Sequence, residues 1–426
     1  MKRPRIALVA PPFSGHLHPL LGIGRALLAH AEVRVLSSAA AQPAIAAAGL
    51  EGQVLLAGCD AAIAAIADPP RRAGSHPLRL HAQLRANLAL MQRFRDELDA
   101  HLREWQPQLV IADFTVPVAG AVARALQIPW WTSLPSPCVI EAAGGPPAYL
   151  GGWKPRDDAI GRARDALGRF AVRAFKRSVG FLYRKQLTAL GFDSLYRRDG
   201  SEAVYSDDCI LALGLREFEF EREWPAALMF TGPVLYTPPH AGTSPCFVAG
   251  RRHVLVTLGT HLRTHKPAAI AAVRTAAAAL PDIEFHFTHG DAGDACHERN
   301  GNFQELAYVS YERDLPHYDL VVHHGGAGIL YRCLSLGLPA LVMPLDYDQF
   351  DHAARLESAG AARRLRTLRE LPQAVVAVLA DEAMHMRCRA LRHRLAAEST
   401  EARIADAVRE RLLALPPLPR VDTASS

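Results

Sequence analysis

The chain has 426 residues, 50% of them hydrophobic and 21% charged, with 30 Gly and 30 Pro; this excludes a disordered or collagen-like chain and gives enough length to bury two cores. Lys and Arg outnumber Asp and Glu 48 to 43. The excess is local: residues 151–185 hold ten basic and three acidic side chains, a balance of +7 within a total of +5, so the rest of the chain sums to −2.

No module of interleaved basic and aromatic residues marks a nucleic-acid binder, and no run of 18 apolar residues marks a membrane span. The seven cysteines are scattered without a CxxC pair, which points to neither a disulfide framework nor a zinc site, and the expected location is the cytoplasm. The N-terminus starts like a secretory signal, but its apolar stretch is short and runs into Pro11-Pro12, so it predicts a strand over 5–10. A helix over 19–29 follows, then a strand over 32–36 and a helix over 39–48. The pattern continues with a strand over 109–112, a helix over 116–126 and a strand over 128–132. It restarts with strands over 254–258 and 284–288 around a helix over 267–280. Then come a strand over Leu320–His323, a helix over Ala327–Leu336 and a strand over 341–344. Strand–helix alternation predicts an α/β protein of two doubly wound parallel sheets. TPPHAGTSP at 237–245 is dense in turn formers and places a linker over 237–250. The expected units are therefore 1–236 and 251–415, with the last helix, Thr400–Leu413, able to pack back on the first unit. A disordered tail over 416–426 completes the chain.

In such sheets ligands bind beyond the carboxyl ends of the strands. The strongest signal there is His324-Gly-Gly-Ala-Gly328, between a strand and a helix. Glycines allow close backbone approach, and the helix N-terminus offers free N–H groups, so Gly325, Gly326 and Gly328 predict an anion site. The spacing is not GxGxxG, so the dinucleotide fingerprint is absent. Further on, Asp348 and Gln349 close a strand at Pro344-Leu-Asp-Tyr-Asp348-Gln349, where paired acceptors suit sugar hydroxyls. His261 and His265 stand four apart and His323 adjoins His324, yet no third ligand follows at a metal-site spacing, and no metal is expected.

Together these loops resemble the nucleotide-sugar signature of family 1 glycosyltransferases, which have the GT-B fold. Further landmarks occur in the same order: Pro12-Phe-Ser-Gly15-His16, Gly232-Pro233, Thr257-Leu-Gly-Thr260, Tyr308-Val-Ser-Tyr311, Gly337-Leu-Pro339 and Asp348-Gln-Phe-Asp-His-Ala353. The closest character is that of the bacterial branch acting on antibiotics, carotenoids and glycolipids. The resemblance implies that His324 and the N–H groups of Gly325–Gly328 hold a diphosphate, with Thr260 adding a hydroxyl. It also implies that Tyr308 packs on the base and that Asp348 and Gln349 hold the sugar. Two positions depart from the pattern: Ile329 stands where Ser or Thr is common, and Arg332 where Glu usually bonds the ribose. Arginine accepts no hydrogen bond, which favours a dTDP- over a UDP-sugar, unless Arg332 instead adds a cation near the diphosphate.

For catalysis the resemblance implies a His–Asp pair, His16 and Asp113, both read as lying in loops after N-terminal strands. A histidine of near-neutral pKa can take the acceptor proton, and a carboxylate fixes its tautomer. The alternative for Asp113 is an N-cap of the following helix, and His18 is a neighbouring alternative to His16. On the acceptor side, Trp131, Tyr149 and Trp153 offer aromatic surface, unless Trp130 and Trp131 alternate on a strand with one in the core. Over 165–185, Leu167, Phe170, Ala171, Ala174, Phe175 and Leu182 recur at helical period beside Arg169, Arg173, Lys176, Arg177 and Arg184. Such a helix either packs its stripe on its own sheet or docks on an anionic membrane.

The expectation is an inverting, metal-independent transfer from an NDP-sugar to a hydroxyl of a small lipophilic or aromatic acceptor, by a monomer or weak homodimer, with no cofactor beyond the donor. Rival readings are a nucleotide-sugar 2-epimerase on the same fold and a relative that binds nucleotide-sugar or lipid without turnover.

Overall fold

Short apolar runs rich in β-branched residues pair as parallel strands because helices cover both faces of the sheet they form. The computed structural model describes residues 3–67, 77–237, 239, 244–291, 297–395 and 399–414; the expected tail over 416–426 lies outside them. The first sheet comprises β1 (Arg5–Val9), β2 (Glu32–Ser37), β3 (Glu51–Val54), β4 (Leu109–Asp113), β5 (Trp130–Leu134), β6 (Cys209–Ala212) and β7 (Leu228–Phe230). Their order is β3-β2-β1-β4-β5-β6-β7, with every pairing parallel.

The second sheet comprises β8 (Arg252–Thr257), β9 (Ile283–Thr288), β10 (His297–Asn300), β11 (Phe303–Leu306), β12 (Leu320–His323), β13 (Ala340–Val342) and β14 (Ala362–Arg364). Its order is β10-β11-β9-β8-β12-β13-β14, and β10 runs antiparallel to β11, so this sheet has one reversed edge. Each sheet changes winding direction once, between β1 and β4 and between β8 and β12. The loops leaving these strands diverge to opposite faces and open a crevice. His16 follows β1 and Asp113 is the last residue of β4, at the strand's end rather than in the loop after it, while Thr260 and His324 follow β8 and β12. Both crevices therefore carry the residues singled out by sequence.

Some elements escape the sequence pattern. β3 reads EGQV and shows no apolar alternation, while β7 is three residues long. The 29-residue helix Pro77–Trp105 buries little besides Phe94, Leu98, Leu102 and Trp105, a narrow stripe in a polar sequence. The helix expected over 19–29 spans Ser14–Leu27, with Pro19 inside it. His16 therefore sits in a first helical turn rather than in a loop. Proline's preference for a first helical turn misplaces the start; Leu17 N–H already bonds the Phe13 carbonyl at 2.8 Å.

The helix Thr400–Leu413 packs on Ser14–Leu27, burying Ile404 and Val408 in the first half's core. The linker reading is too long at its far end. Phe247 lies among the rings of His253, His286, His317 and Tyr318, with centroids 5.0–5.5 Å away, and Cys246 N–H bonds Gln304 Oε1. Residues 238 and 240–243 lie outside the described part.

The basic helix spans Ala159–Leu182, and its apolar stripe does not pack on the sheet: Leu167, Phe170, Phe175 and Leu182 are exposed. Small residues face inward instead. A Cβ on Gly168 would stand 2.7 Å from the Trp153 ring, and Lys176 anchors the same side through Glu141 and Glu202.

Candidate active site

β4 ends on Asp113, whose side chain is fully buried. Its Oδ1 accepts the Thr115 N–H at 2.9 Å and the Thr115 hydroxyl, while the next helix, Val118–Ala125, is capped at Pro117. Asp113 is thus the anchor of an Asx turn and not an N-cap. The turn fixes the carboxylate, which meets His16 Nδ1 at 3.1 Å. His16 keeps 27% of its side chain exposed, and with Nδ1 bonded to Asp113 its Nε2 is the nitrogen open to a ligand. Burial acts to lower the pKa of His16, but the Asp113 charge and hydrogen bond, with Asp348 adding to them, outweigh it and raise the pKa above 6.5. His18 has no such partner, and burial pushes it down to about 4. The pair is His16 with Asp113.

Across the cleft, the helix Ala327–Leu336 begins at Gly326 with no side-chain cap and no acid in its first turn, so its leading N–H groups are available to an anion. Gly325 has φ +97° and is held from both sides: its N–H bonds His323 Nδ1 at 3.0 Å, and its carbonyl accepts from His352 Nδ1 at 2.7 Å. Gly326 leaves room for His324, since a Cβ there would stand 2.5 Å from the ring's Nε2. Around Gly328 there is open space. Burial pushes His324 down to about 4, so the ring is neutral, and its buried Nδ1 has no partner. This leaves an unsatisfied buried nitrogen beside an uncapped helix start, an unfilled donor or acceptor.

The Asp348 backbone carbonyl accepts the His352 N–H at 2.9 Å, but its carboxylate makes no hydrogen bond among the described residues, and its charge acts on both His16 and His324. It is an unpaired carboxylate whose charge reaches both halves. Gln349 is committed elsewhere: it is buried, and its Oε1 accepts the N–H groups of Leu345 and Asp346 at 2.9 and 3.0 Å. Only its amide N–H groups are left for a sugar. Thr260 is exposed, with its hydroxyl 2.9 Å from His261 Nδ1. His261 packs edge-on against Phe13 at 4.9 Å, joining the two halves beside His16. Tyr308 is half-buried within the field of Arg332. The Arg332 guanidinium donates to the Leu235 carbonyl, which ties it to the chain entering the linker. Ile329 is buried among Leu255, Val309 and Cys333, facing the core.

Of the three aromatic residues expected on the acceptor side, Trp131 is a correction. It is 3% exposed in the first core, near the amino end of β5, and its Nε1 bonds Asp208 at 3.1 Å. A parallel strand covered on both faces buries both members of a Trp-Trp pair, and Trp130 is buried in the opposite layer. Trp153 packs on the basic helix, lying over Gly168 with the Arg164 guanidinium 4.9 Å above its ring. Tyr149 lies beside Asp351 and Asp348. It is 43% exposed with φ +65°, its N–H bonds Asp351 Oδ2 at 2.9 Å, and it lies within the field of Asp348.

Residues 253–408 match the model of the glycosyltransferase family 28 C-terminal domain. Over nearly the whole length, the chain is 24% identical to the 4'-demethylrebeccamycin synthase of Lentzea aerocolonigenes, covering 95% of this chain and 98% of that one. The chain is a glycosyltransferase with the GT-B fold. Its fold is also that of the kitacinnamycin glycotransferase, with a TM-score of 0.74 at 24% identity over 97% of the transferase and 100% of that structure. A glycosyltransferase of Streptomyces sp. SF2575, complexed with thymidine diphosphate, superposes with a TM-score of 0.65 at 20% identity over 96% and 100%. Among the described residues of the transferase, no three His, Cys, Asp or Glu side chains gather as a metal site, and no helix is long and apolar enough to cross a membrane.

The transferase also holds a charge network that the sequence reading missed. Arg355, on the helix Gln349–Ser358 of the second half, donates through Nε to Glu219 of the first half at 2.6 Å. Arg222 stands 3.6 Å from the same carboxylate. These side chains are 1–3% exposed. Burial pushes Arg222 down to about 10 against the pull of Glu219. Three charged residues in mixed polar sequence read as solvated surface, and nothing in their spacing says otherwise.

Proposed function

We propose that the transferase moves a sugar from a nucleotide-sugar to a hydroxyl of a lipophilic or aromatic acceptor, with inversion and without a metal. The observation that carries this reading is the His16–Asp113 pair, with Nε2 of His16 open, in one cleft with the Asp348 carboxylate and the uncapped glycine loop. The acceptor hydroxyl gives its proton to His16 Nε2 as its oxygen attacks the anomeric carbon from the face opposite the leaving group. The bond from that carbon to the diphosphate oxygen breaks, and the nucleoside diphosphate leaves with the electron pair. Free N–H groups from Ala327 onward meet its charge, and Asp113 stabilises the imidazolium. A single displacement of this kind turns an α-linked donor into a β-linked product. The Asp348 carboxylate, without a hydrogen bond among the described residues, has both oxygens for sugar hydroxyls.

A dTDP-sugar is the donor best matched. Arg332 offers a ribose no acceptor, and a neighbour of the same fold carries thymidine diphosphate. The acceptor class rests on relatives named for natural products. Thermal shift against UDP-, dTDP- and GDP-sugars tests the donor, since a native-state ligand at a hundredfold excess over Kd stabilises by about 2.7 kcal/mol. The expected result is a larger shift with dTDP-sugars than with UDP-sugars; the reverse order overturns the Arg332 argument, and no shift with any of them overturns nucleotide-sugar binding.

The glycine loop gives a second expectation. Gly326→Ala forces the His324 ring away from a Cβ it would meet at 2.5 Å. Loss of one charge-assisted hydrogen bond, about 1.5–3 kcal/mol, weakens nucleotide binding roughly tenfold to a hundredfold. Titration calorimetry with dTDP reads this directly, and Gly328→Ala, in open space, serves as the milder control.

A further inference from the structure

The helix Ala159–Leu182 turns its large apolar side chains outward. Ile160, Leu167, Phe170, Phe175, Phe181 and Leu182 are 57–80% exposed, six of the thirteen large apolar side chains left exposed among the described residues. At 100° per residue they fall on one outward arc of about 140°, bordering the inward face of Gly161, Asp165 and Gly168. The stripe continues past the helix: Leu78, 75% exposed, lies one turn from His81, whose Nδ1 is 2.6 Å from the Tyr183 hydroxyl.

One flank of the stripe is basic. Arg162, Arg169, Arg173 and Arg177 succeed one another along it, and Arg184 and Lys185 follow at its end. Arg169 and Arg173 are held in place by the Gly145 and Gly200 carbonyls, and Arg177 lies over the Tyr196 ring. The nearby acids are already paired, Asp165 with Arg164, and Glu141 and Glu202 with Lys176. Glu141 also stands 3.9 Å from Arg173, so Arg162, Arg169 and Arg177 are the flank's arginines that these acids leave uncancelled.

We propose that this face docks on an anionic lipid bilayer, with the helix lying along the surface, its apolar stripe at headgroup depth and its basic flank on lipid phosphates. Charge decides the occupant. A symmetric contact between two copies would set a +7 segment against itself, whereas a phosphate-bearing surface matches both the apolar ridge and its flank. The loop before the helix is bound to it through Arg169 and Trp153 and carries Tyr149 at the cleft. Docking would therefore bring the acceptor side of the site next to the bilayer.

Flotation of the full chain with vesicles of phosphatidylcholine, with and without phosphatidylglycerol, tests this. The protein is expected to float with phosphatidylglycerol vesicles at low salt and to be released as salt rises. Phe170→Glu/Phe181→Glu should abolish flotation while leaving the thermal shift with dTDP unchanged, and Arg177→Gln/Arg184→Gln should reduce vesicle partitioning about tenfold or more. No flotation at low salt overturns the proposal, as does flotation unaffected by Phe170→Glu/Phe181→Glu. So does a dimer in sedimentation velocity that the same double variant dissociates, which would give this face to a second copy.

Discussion

Replacing His16 with alanine yields a folded protein that binds nucleotide and transfers sugar about 10²–10⁴-fold more slowly, the span that a positioned general base contributes. kcat carries the loss, because His16 meets the acceptor proton only as the reaction proceeds. The pH profile separates a base from a mere contact. His16 must be neutral to accept a proton, so activity rises with pH through its pKa, which burial opposes but Asp113 and Asp348 raise above 6.5. Asp113→Asn removes the main raising influence and leaves burial, so the acid limb of kcat/KM should move to lower pH as the plateau falls. An acid limb that stays put in Asp113→Asn, or a His16→Ala variant of undiminished rate, would assign the proton transfer elsewhere.

Glu219→Leu carries the largest expected cost in stability. It leaves the guanidiniums of Arg222 and Arg355, 2% and 3% exposed, without the carboxylate between them. Removing one partner from a buried ion pair costs about 3–5 kcal/mol. Glu219→Gln retains the shape and part of the hydrogen bonding and should cost less. Because Glu219 and Arg355 come from opposite halves, urea unfolding followed by tryptophan fluorescence should show the loss, and limited proteolysis should show the cleft loosened before either half unfolds. A midpoint equal to that of the parent would mean that the two arginines find other partners.

What sequence shows of this molecule depends on whether a residue acts through local chain geometry. His16, Asp113 and the loop His324–Gly328 were legible because a strand end, a turn and a helix start lie within a few residues of one another, and because the motifs recur in a fixed order. Glu219, Arg222 and Arg355 were not, since Arg355 lies 136 residues from Glu219 along the chain and their burial comes only from the two halves meeting. Trp131 shows a different limit. Alternation on a strand assigns side chains to two faces, but where both faces are covered it does not say which residue reaches the cleft, and position along the strand, near its amino end, is what removes Trp131. For the helix Ala159–Leu182 the periodicity was readable and its direction was not. The inward face was chosen by the fit of Trp153 over Gly168, a contact between residues fifteen apart that no wheel displays.

The return of the helix Thr400–Leu413 to the first half has a mechanical consequence. The chain passes between the halves once through the segment beginning near Thr237 and again just before Thr400, whose γ-hydroxyl comes within 2.6 Å of where a Cβ on Gly232 would stand. The two connections thus tie the second half to the first at neighbouring points, Gly232 and Thr400. Neither half is then a separable module: cutting the chain after residue 236 would strip the first half of Ile404 and Val408 and bare the face of Ser14–Leu27 that they cover.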